Sequence, residues 1–169
     1  MTKNILHSSK TTEWYTPPHL IELARKVMGK IDLDPASNNV AQKWIKAEKY
    51  YTIEDDGLTK IWTGNVWLNP PYGNGITTKW IDKLLEEYGS MVMPEAIILV
   101  RPAVSSRWFN TLAQNFVRCE TLFRIRFIDA NGTEQKSPAH GNVLFYVGKK
   151  NMGTFVEVFD RIGVISRPI

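Results

Sequence analysis

Residues 66–72 read Val-Trp-Leu-Asn-Pro-Pro-Tyr, and Gly-Asn-Gly follows them at residues 73–75. The apolar run at residues 66–68 predicts a short strand. An amide, two rigid rings and an aromatic side chain therefore stand together where that strand ends. In open α/β sheets, ligands bind in the crevice outside the carboxyl ends of the strands. This stretch thus predicts a sheet and a binding site at its edge.

The segments after the motif extend the same pattern. Apolar residues recur at every fourth position from Ile76 to Tyr88, and Gly89 follows as a stop signal, so a helix is predicted over residues 76–88. Residues 96–100 form a continuous apolar run, which is typical of a strand buried on both faces of a parallel sheet.

The segments before the motif supply a second strand end. Residues 31–34 alternate and stop at Pro35, which predicts a strand with Asp34 at its carboxyl end. Asn69 follows Asp34 by 35 positions, enough for a crossover between parallel strands. Both side chains are then expected at one edge of the sheet.

Capping residues and periodicity predict the other elements. Before the motif they are a helix over residues 17–28 capped by Thr16, a helix from Asn38 or Asn39 to residue 47, a strand over 50–53 and an acidic turn at 54–57. After it come a helix from Ser105 or Ser106 to 116 and two strands, over 123–127 and 142–147, around a polar loop at 129–141. A last helix is predicted over 155–162. The expected fold class is α/β, with helices on both faces of a mostly parallel sheet that ends in an antiparallel hairpin.

Length and composition set the limits. A chain of 169 residues fits one domain over residues 1–169, with residues 1–12 as a flexible or extended lead-in and no separate target-recognition domain. The formal net charge of +4 favours an anionic partner, or reflects only a soluble basic surface. One cysteine, three scattered histidines and no long apolar run predict an intracellular protein without metal or membrane span.

The central motif suits one kind of chemistry. An exocyclic amino group on a base is a poor nucleophile because its lone pair is delocalised into the ring. Two acceptors in line with its N–H bonds, the Asn69 oxygen and a proline carbonyl, would localise that pair. Tyr72 would offer a stacking face to a base flipped out of a duplex. The alternative is a turn with a buried tyrosine.

At these residues the chain resembles the S-adenosylmethionine-dependent amino methyltransferases, whose motif is Asp/Asn/Ser-Pro-Pro-Tyr/Phe/Trp, and more narrowly the phage-type (Dam-type) DNA N6-adenine methyltransferase family. The order of its motifs resembles that of the gamma-type adenine methyltransferases. The matching segments are Glu13-Trp14-Tyr15-Thr16-Pro17, Ile31-Asp32-Leu33-Asp34-Pro35-Ala36-Ser37, Ala47-Glu48, Asp56-Gly57-Leu58, Trp62, residues 66–72, Trp108-Phe109 and Arg126-Phe127.

The resemblance implies an abridged Rossmann-like methyltransferase sheet that binds S-adenosyl-L-methionine. Its implied catalytic residues are Asn69, Pro70, Pro71 and Tyr72. Its implied cofactor pocket comprises Tyr15, Thr16, Pro17, Asp34, Pro35, Ala36, Ser37 and Asp56. Asp34 would face the cationic methionine end of the cofactor and Asp56 its adenine. The chain lacks a glycine-rich cofactor loop, and Glu48 is the candidate for the ribose.

The resemblance also implies DNA as the partner and N6 of adenine as the acceptor, in the cytoplasm of a bacterial host if the gene is phage-encoded. DNA contacts would come from loops at the strand ends, and a short or relaxed target sequence is expected. The candidate contact residues are Lys79, Arg101, Arg107, Lys136 and His140, each of which alternatively belongs to a solvated loop. Other readings are a methyltransferase acting on an RNA base, on a protein glutamine amide or on cytosine N4, and a catalytically inactive nucleic-acid-binding relative.

Overall fold

The computed structural model describes residues 14–73, 75–136 and 140–168. The predicted lead-in at residues 1–12 lies outside the described residues, as do Asn74 and part of the 129–141 loop. Within the described ranges, no helix combines the length and apolar character needed to cross a bilayer.

The chain forms five helices and seven strands over the described residues. In order they are α1 (Pro18–Met28), β1 (Leu33–Asp34), α2 (Gln42–Ile45), β2 (Lys49–Tyr50), a short 3-10 helix (Gly57–Thr59), β3 (Asn65–Leu68), α3 (Ile76–Gly89), β4 (Glu95–Val100), α4 (Arg107–Asn115), β5 (Val117–Thr121), β6 (Val143–Val147), α5 (Met152–Phe159) and β7 (Gly163–Ser166).

All seven strands join one sheet in the order β2-β1-β3-β4-β6-β5-β7. Pairing is parallel from β2 to β4 and antiparallel from β4 to β7. Leu68 lies opposite Ile98, and Val100 lies opposite Val143. The carboxyl ends of β1, β3 and β4 therefore meet the amino end of β6 at one edge, called the ligand edge below.

Helices cover both faces of the sheet. On one face α1, α2 and α5 pack against inward residues that include Trp67 and Leu144. On the other face α3 and α4 pack against Val66, Leu68 and Phe145. This alternation along each strand confirms the predicted α/β class with helices on both faces.

Several predicted elements are confirmed with small shifts in their ends. The helix after the motif is α3, the buried apolar run is β4, and the last predicted strand is β6. Ser106 caps α4, where its side chain accepts a hydrogen bond from the Phe109 N–H at 3.4 Å. The Asn38 side chain accepts from Val40 N and Ala41 N at 2.9 Å, but α2 begins only at Gln42.

The predicted strand over residues 123–127 is wrong. The partner of β6 is β5, and residues 122–127 form no strand. Their period-two pattern does correspond to burial, since Ile125 and Phe127 are buried. No neighbouring strand of the described chain forms a hydrogen-bonded ladder with them. The alternation in residues 123–127 therefore reflects which side chains are buried and does not indicate a strand.

Three other predicted boundaries are also wrong. The last helix ends at Phe159, and the chain then returns as β7, so the antiparallel end of the sheet has three strands where two were expected. The strand predicted over residues 50–53 is Lys49–Tyr50. Thr16 does not cap α1, because Pro17 occupies the N-cap position and the Thr16 hydroxyl serves the site described below.

A buried polar network closes the edge of the sheet opposite the ligand edge. The Glu95 carboxylate accepts from Tyr146 Oη at 2.7 Å and from Asn151 Nδ2 at 3.0 Å. Tyr146 Oη in turn accepts from the Asn151 backbone N–H at 2.8 Å. Every polar group of this network has a partner, as a purely structural buried cluster requires.

Replacing Tyr146 with phenylalanine should therefore destabilise the fold. The change leaves the Asn151 N–H without its acceptor and Glu95 without one donor, which costs about 1–3 kcal/mol. Tyr50→Phe is the matched control, because Tyr50 Oη makes an exposed hydrogen bond to Asn39 Oδ1 and its loss should cost less than about 0.5 kcal/mol. Urea unfolding of both variants measures the difference, and equal losses would contradict the role given to the network.

Candidate active site

A cavity of about 1040 Å³ opens at the ligand edge. Its wall includes the whole Asn69-Pro70-Pro71-Tyr72 motif and seven of the eight residues expected to form the cofactor pocket. Those seven are Tyr15, Thr16, Asp34, Pro35, Ala36, Ser37 and Asp56. The eighth, Pro17, does not line the cavity and is the N-cap residue of α1. The two predicted groups are thus parts of one site.

Asn69 follows directly after β3 and presents an acceptor. Its Nδ2 donates to Thr16 Oγ1 at 3.4 Å, a long hydrogen bond that orients the amide plane. Its Oδ1 is buried and has no hydrogen-bond partner among the residues that the structure describes. A buried polar atom without a partner is unusual in a folded protein. The arrangement leaves this oxygen for an N–H group of a ligand.

The two prolines differ in their surroundings. Pro70 is buried, whereas Pro71 is exposed. The Pro71 carbonyl accepts from Thr77 Oγ1 at 3.1 Å, which ties the motif to the first turn of α3. Because that carbonyl is already engaged, the Pro70 carbonyl is the candidate for the second acceptor beside Asn69.

Tyr72 stands at the mouth of the cavity with 36% of its surface exposed. The Arg101 guanidinium lies over its ring, 4.0 Å from the centroid, in a cation–π contact. Burial raises the pKa of the Tyr72 hydroxyl to about 12, and the positive charge of Arg101 only partly opposes this. The phenol is therefore neutral, and its aromatic face is available to a planar group that competes with Arg101.

Asp34 supplies a buried carboxyl group at the end of β1, the strand beside β3. Gln42 Nε2 donates to Asp34 Oδ2 at 2.9 Å and to Ser37 Oγ at 2.8 Å. Burial raises the pKa of Asp34 to about 7, and hydrogen bonds from Ser37, Ala36 N–H and Gln42 act in the opposite direction. Among the described residues no ion pair involves this carboxyl group. A cationic ligand would therefore find its counter-charge here.

Asp56 is exposed and caps the short 3-10 helix, accepting from Leu58 N at 3.3 Å. The next residue, Gly57, packs against the loop after β1 so closely that a Cβ atom would lie 2.1 Å from the Pro35 carbonyl oxygen. Only glycine fits there, and Asp56 is thereby held at the cavity rim. Glu48 does not line the cavity and pairs with Lys30 at 2.9 Å.

The predicted DNA-contact residues divide into two groups. Arg101 and His140 line the cavity. Lys79, Arg107 and Lys136 are exposed and lie outside its wall, so a contact with DNA stays a prediction for them. Within the part of the chain that the structure describes, no group of three or more His, Cys, Asp or Glu residues could hold a metal ion.

Sequence reasoning missed two buried residues of the wall. Like the Asn69 oxygen, Trp67 Nε1 and Asn142 Oδ1 are buried and have no hydrogen-bond partner within residues 14–73, 75–136 and 140–168. Trp67 lies two residues before Asn69, hence on the same face of the sheet, and this spacing was a readable signal. Asn142 precedes β6, whose amino end reaches the ligand edge only because β6 is antiparallel.

Other wall residues were also missed, and several are apolar side chains from loops and helices. They are Trp14, Asn38, Ala41, Ile45, Thr52, Ile53, Gly57, Trp80 and Phe127. Trp14 and Phe127 pack edge to face with their ring centroids 6.2 Å apart. Trp14, Gly57 and Phe127 lie in segments that carry the family resemblance, yet neither that resemblance nor periodicity assigned these nine residues to the cavity, because they meet through tertiary packing.

The comparisons with known proteins fit this geometry. The model of the family described as DNA N-6-adenine-methyltransferase (Dam) matches residues 3–161 of the 169. No curated protein matches the sequence. Since the family model covers nearly the whole chain, this protein belongs to the DNA N-6-adenine-methyltransferase (Dam) family.

Proposed function

We propose that this protein transfers a methyl group from S-adenosyl-L-methionine to the N6 amino group of adenine in DNA, in the cavity at the ligand edge. The observation that carries the proposal is the Asn69 Oδ1 atom, a buried acceptor that no described residue pairs, in a residue that lines the same cavity as the buried Asp34. Membership of the Dam family supports the acceptor and the DNA substrate.

The cavity residues fit the cofactor. Among the described residues no ion pair involves the Asp34 carboxyl group, and the methionine end of the cofactor carries an ammonium group. Tyr15, Thr16 and the loop after β1 would hold the cofactor against the sheet, and Asp56 would lie near its adenine. When bound, the cofactor supplies an electrophilic methyl group.

Asn69 and Pro70 activate the acceptor. The Asn69 oxygen accepts one N–H of the adenine amino group, and the Pro70 carbonyl accepts the other. Both acceptors draw the two hydrogens into fixed directions, which localises the nitrogen lone pair and points it at the methyl group. No strong base is needed, because the nitrogen loses a proton readily once it is alkylated. Thr16 contributes by orienting the Asn69 amide.

Tyr72 receives the base. An adenine inside a duplex cannot reach the cavity, so it enters after rotating out of the stack, or from single-stranded DNA. Stacking on the tyrosine ring contributes about 1–3 kcal/mol to holding it. Arg101, which lies over that ring, is within reach of the same position and carries a charge that suits a neighbouring phosphate.

The product of the reaction tests the proposal directly. Incubation with labelled S-adenosyl-L-methionine and DNA, followed by digestion to nucleosides, should place the label in N6-methyladenine. Parallel incubations with RNA and with protein test the other acceptors. Label in N4-methylcytosine, in an RNA base or in glutamine would replace the proposed acceptor, and no transfer to any of them would favour an inactive nucleic-acid-binding relative.

Asn69→Ala should abolish transfer, reducing kcat by about 10²–10³-fold or more, the loss seen when one such hydrogen-bonding group is removed from an active site. Cofactor binding, measured by calorimetry, should be nearly unchanged because the lost acceptor faces the base. Full activity in this variant would contradict the mechanism.

The matched control is Asn65→Ala at the other end of β3. Asn65 Nδ2 donates to the Met28 carbonyl at 2.8 Å, away from the ligand edge. This variant should lose stability and keep its kcat.

Cofactor affinity should rise as pH rises toward about 7, because binding of an ammonium group needs the ionised form of Asp34, whose pKa burial raises to about 7. Over this range the cofactor's own amino group stays largely protonated. Calorimetric titration at several pH values measures the effect, and a flat profile would contradict the role given to Asp34.

Asp34→Asn is the control. This variant should bind the cofactor weakly at every pH. Its free energy of unfolding should also lack the pH-dependent contribution of the Asp34 carboxyl group. The folded wild type keeps this proton up to about pH 7, whereas the unfolded chain loses it near the ordinary value of 3.8. The free energy of unfolding of the wild type relative to the variant should therefore fall across that interval and level off above it.

A further inference from the structure

Trp67 carries a buried hydrogen-bond donor that the proposed mechanism does not use. Its side chain is 0% exposed and lines the cavity, and its indole Nε1 has no hydrogen-bond partner among the described residues. An indole N–H can only donate, so an acceptor is needed to compensate for its burial. Because the part of the chain that the structure describes provides none, the acceptor is expected to arrive with a ligand.

A second tryptophan shows that burial alone does not explain the missing partner. Trp62 is equally buried at 0% exposure, and its Nε1 donates to the Gly57 carbonyl at 2.8 Å. The fold therefore pairs a buried indole where the role is structural. Trp67, by contrast, lines the cavity, and its buried N–H has no partner among the described residues.

The register of the sheet places Trp67 beside Asp34. Leu33 lies opposite Val66, so the next residues along the two parallel strands, Asp34 and Trp67, are neighbours. Leu33 and Val66 both pack on the α3 and α4 side, and strand alternation turns Asp34 and Trp67 to the other face together. Adjacent strands lie about 4.8 Å apart. One wall of the cavity thus offers an anionic acceptor and a neutral donor side by side.

This pair complements the amino-acid end of the proposed cofactor, where an ammonium group and a carboxylate stand on one carbon. We propose that the Trp67 indole N–H donates a hydrogen bond to the carboxylate of S-adenosyl-L-methionine while Asp34 binds its ammonium group. This inference rests on the proposed function. The unpartnered oxygens of Asn69 and Asn142 are acceptors and suit N–H groups, so Trp67 is the buried unpaired atom of this wall that suits an anion.

Binding without DNA tests the inference apart from catalysis. Decarboxylated S-adenosylmethionine keeps the ammonium group, the sulfonium and the nucleoside but lacks the carboxylate. Trp67→Phe should weaken binding of S-adenosyl-L-methionine by about tenfold or more, the effect of a hydrogen bond to a charged group. The same change should leave binding of the decarboxylated analogue nearly unchanged, with both affinities measured by calorimetry or competition.

Trp62→Phe is the matched control, since it makes the same ring change at an equally buried position. It removes the bond to Gly57 and should reduce stability more than Trp67→Phe, which breaks no hydrogen bond within the protein. Any effect on affinity should be the same for both ligands. Loss of selectivity for the carboxylate is thus expected from Trp67→Phe alone.

The wild-type protein gives a second readout that does not depend on the folding of a variant. The indole N–H resonance of Trp67 should shift downfield with S-adenosyl-L-methionine and shift less with the decarboxylated analogue. Equal effects of Trp67→Phe on both ligands, or equal resonance shifts, would overturn the inference while the proposed function stands. A wild type that binds neither ligand would overturn both.

Discussion

Parallel pairing of β3 with β1 on one side and β4 on the other is the constraint on which the rest of the structure depends. It sets Asp34, Trp67 and Asn69 at one edge and, through alternation, on one face. The antiparallel return of β6 beside β4 then brings Asn142 to the same edge. A shift of one residue in either pairing would move these polar side chains to the other face of the sheet, into its apolar layer. The apolar packing that fixes the strand register therefore also fixes the position of the site.

The two ends of the sheet handle buried polarity in opposite ways. At the edge away from the cavity, both carboxylate oxygens of Glu95 accept hydrogen bonds, from Tyr146 and Asn151. At the ligand edge, three buried polar atoms have no hydrogen-bond partner within the described part of the chain, and one buried carboxyl group has its pKa raised to about 7. Buried polar groups without hydrogen bonds lower the stability of the ligand-free protein. They are expected where a bound ligand supplies the missing hydrogen bonds.

Local sequence patterns were sufficient for the elements with strong periodicity and for the two strand ends. The motif at Asn69, the helix after it and the buried run of β4 all follow from spacing and composition. The errors arose where tertiary context decides. Residues 123–127 alternate because Ile125 and Phe127 are buried, yet they form no hydrogen-bonded ladder with a neighbouring strand. Thr16 resembles a helix N-cap in the sequence, but its hydroxyl contacts Asn69, 53 residues away along the chain. Asn142 was not recognised as a wall residue, because its position at the ligand edge depends on the antiparallel direction of β6.

The strands at the two sides of the site differ greatly in length. β1 and β2 have two residues each, whereas β4 and β6 share five opposed pairs. Local opening needs the least free energy where the ladder is shortest, so amide hydrogens should exchange fastest along β1 and β2 and slowest along β4 and β6. A ligand that contacts both Asp34 and the loop after it would stabilise the part of the sheet formed by the short strands β1 and β2. Binding of such a ligand should therefore slow amide exchange most along β1 and β2.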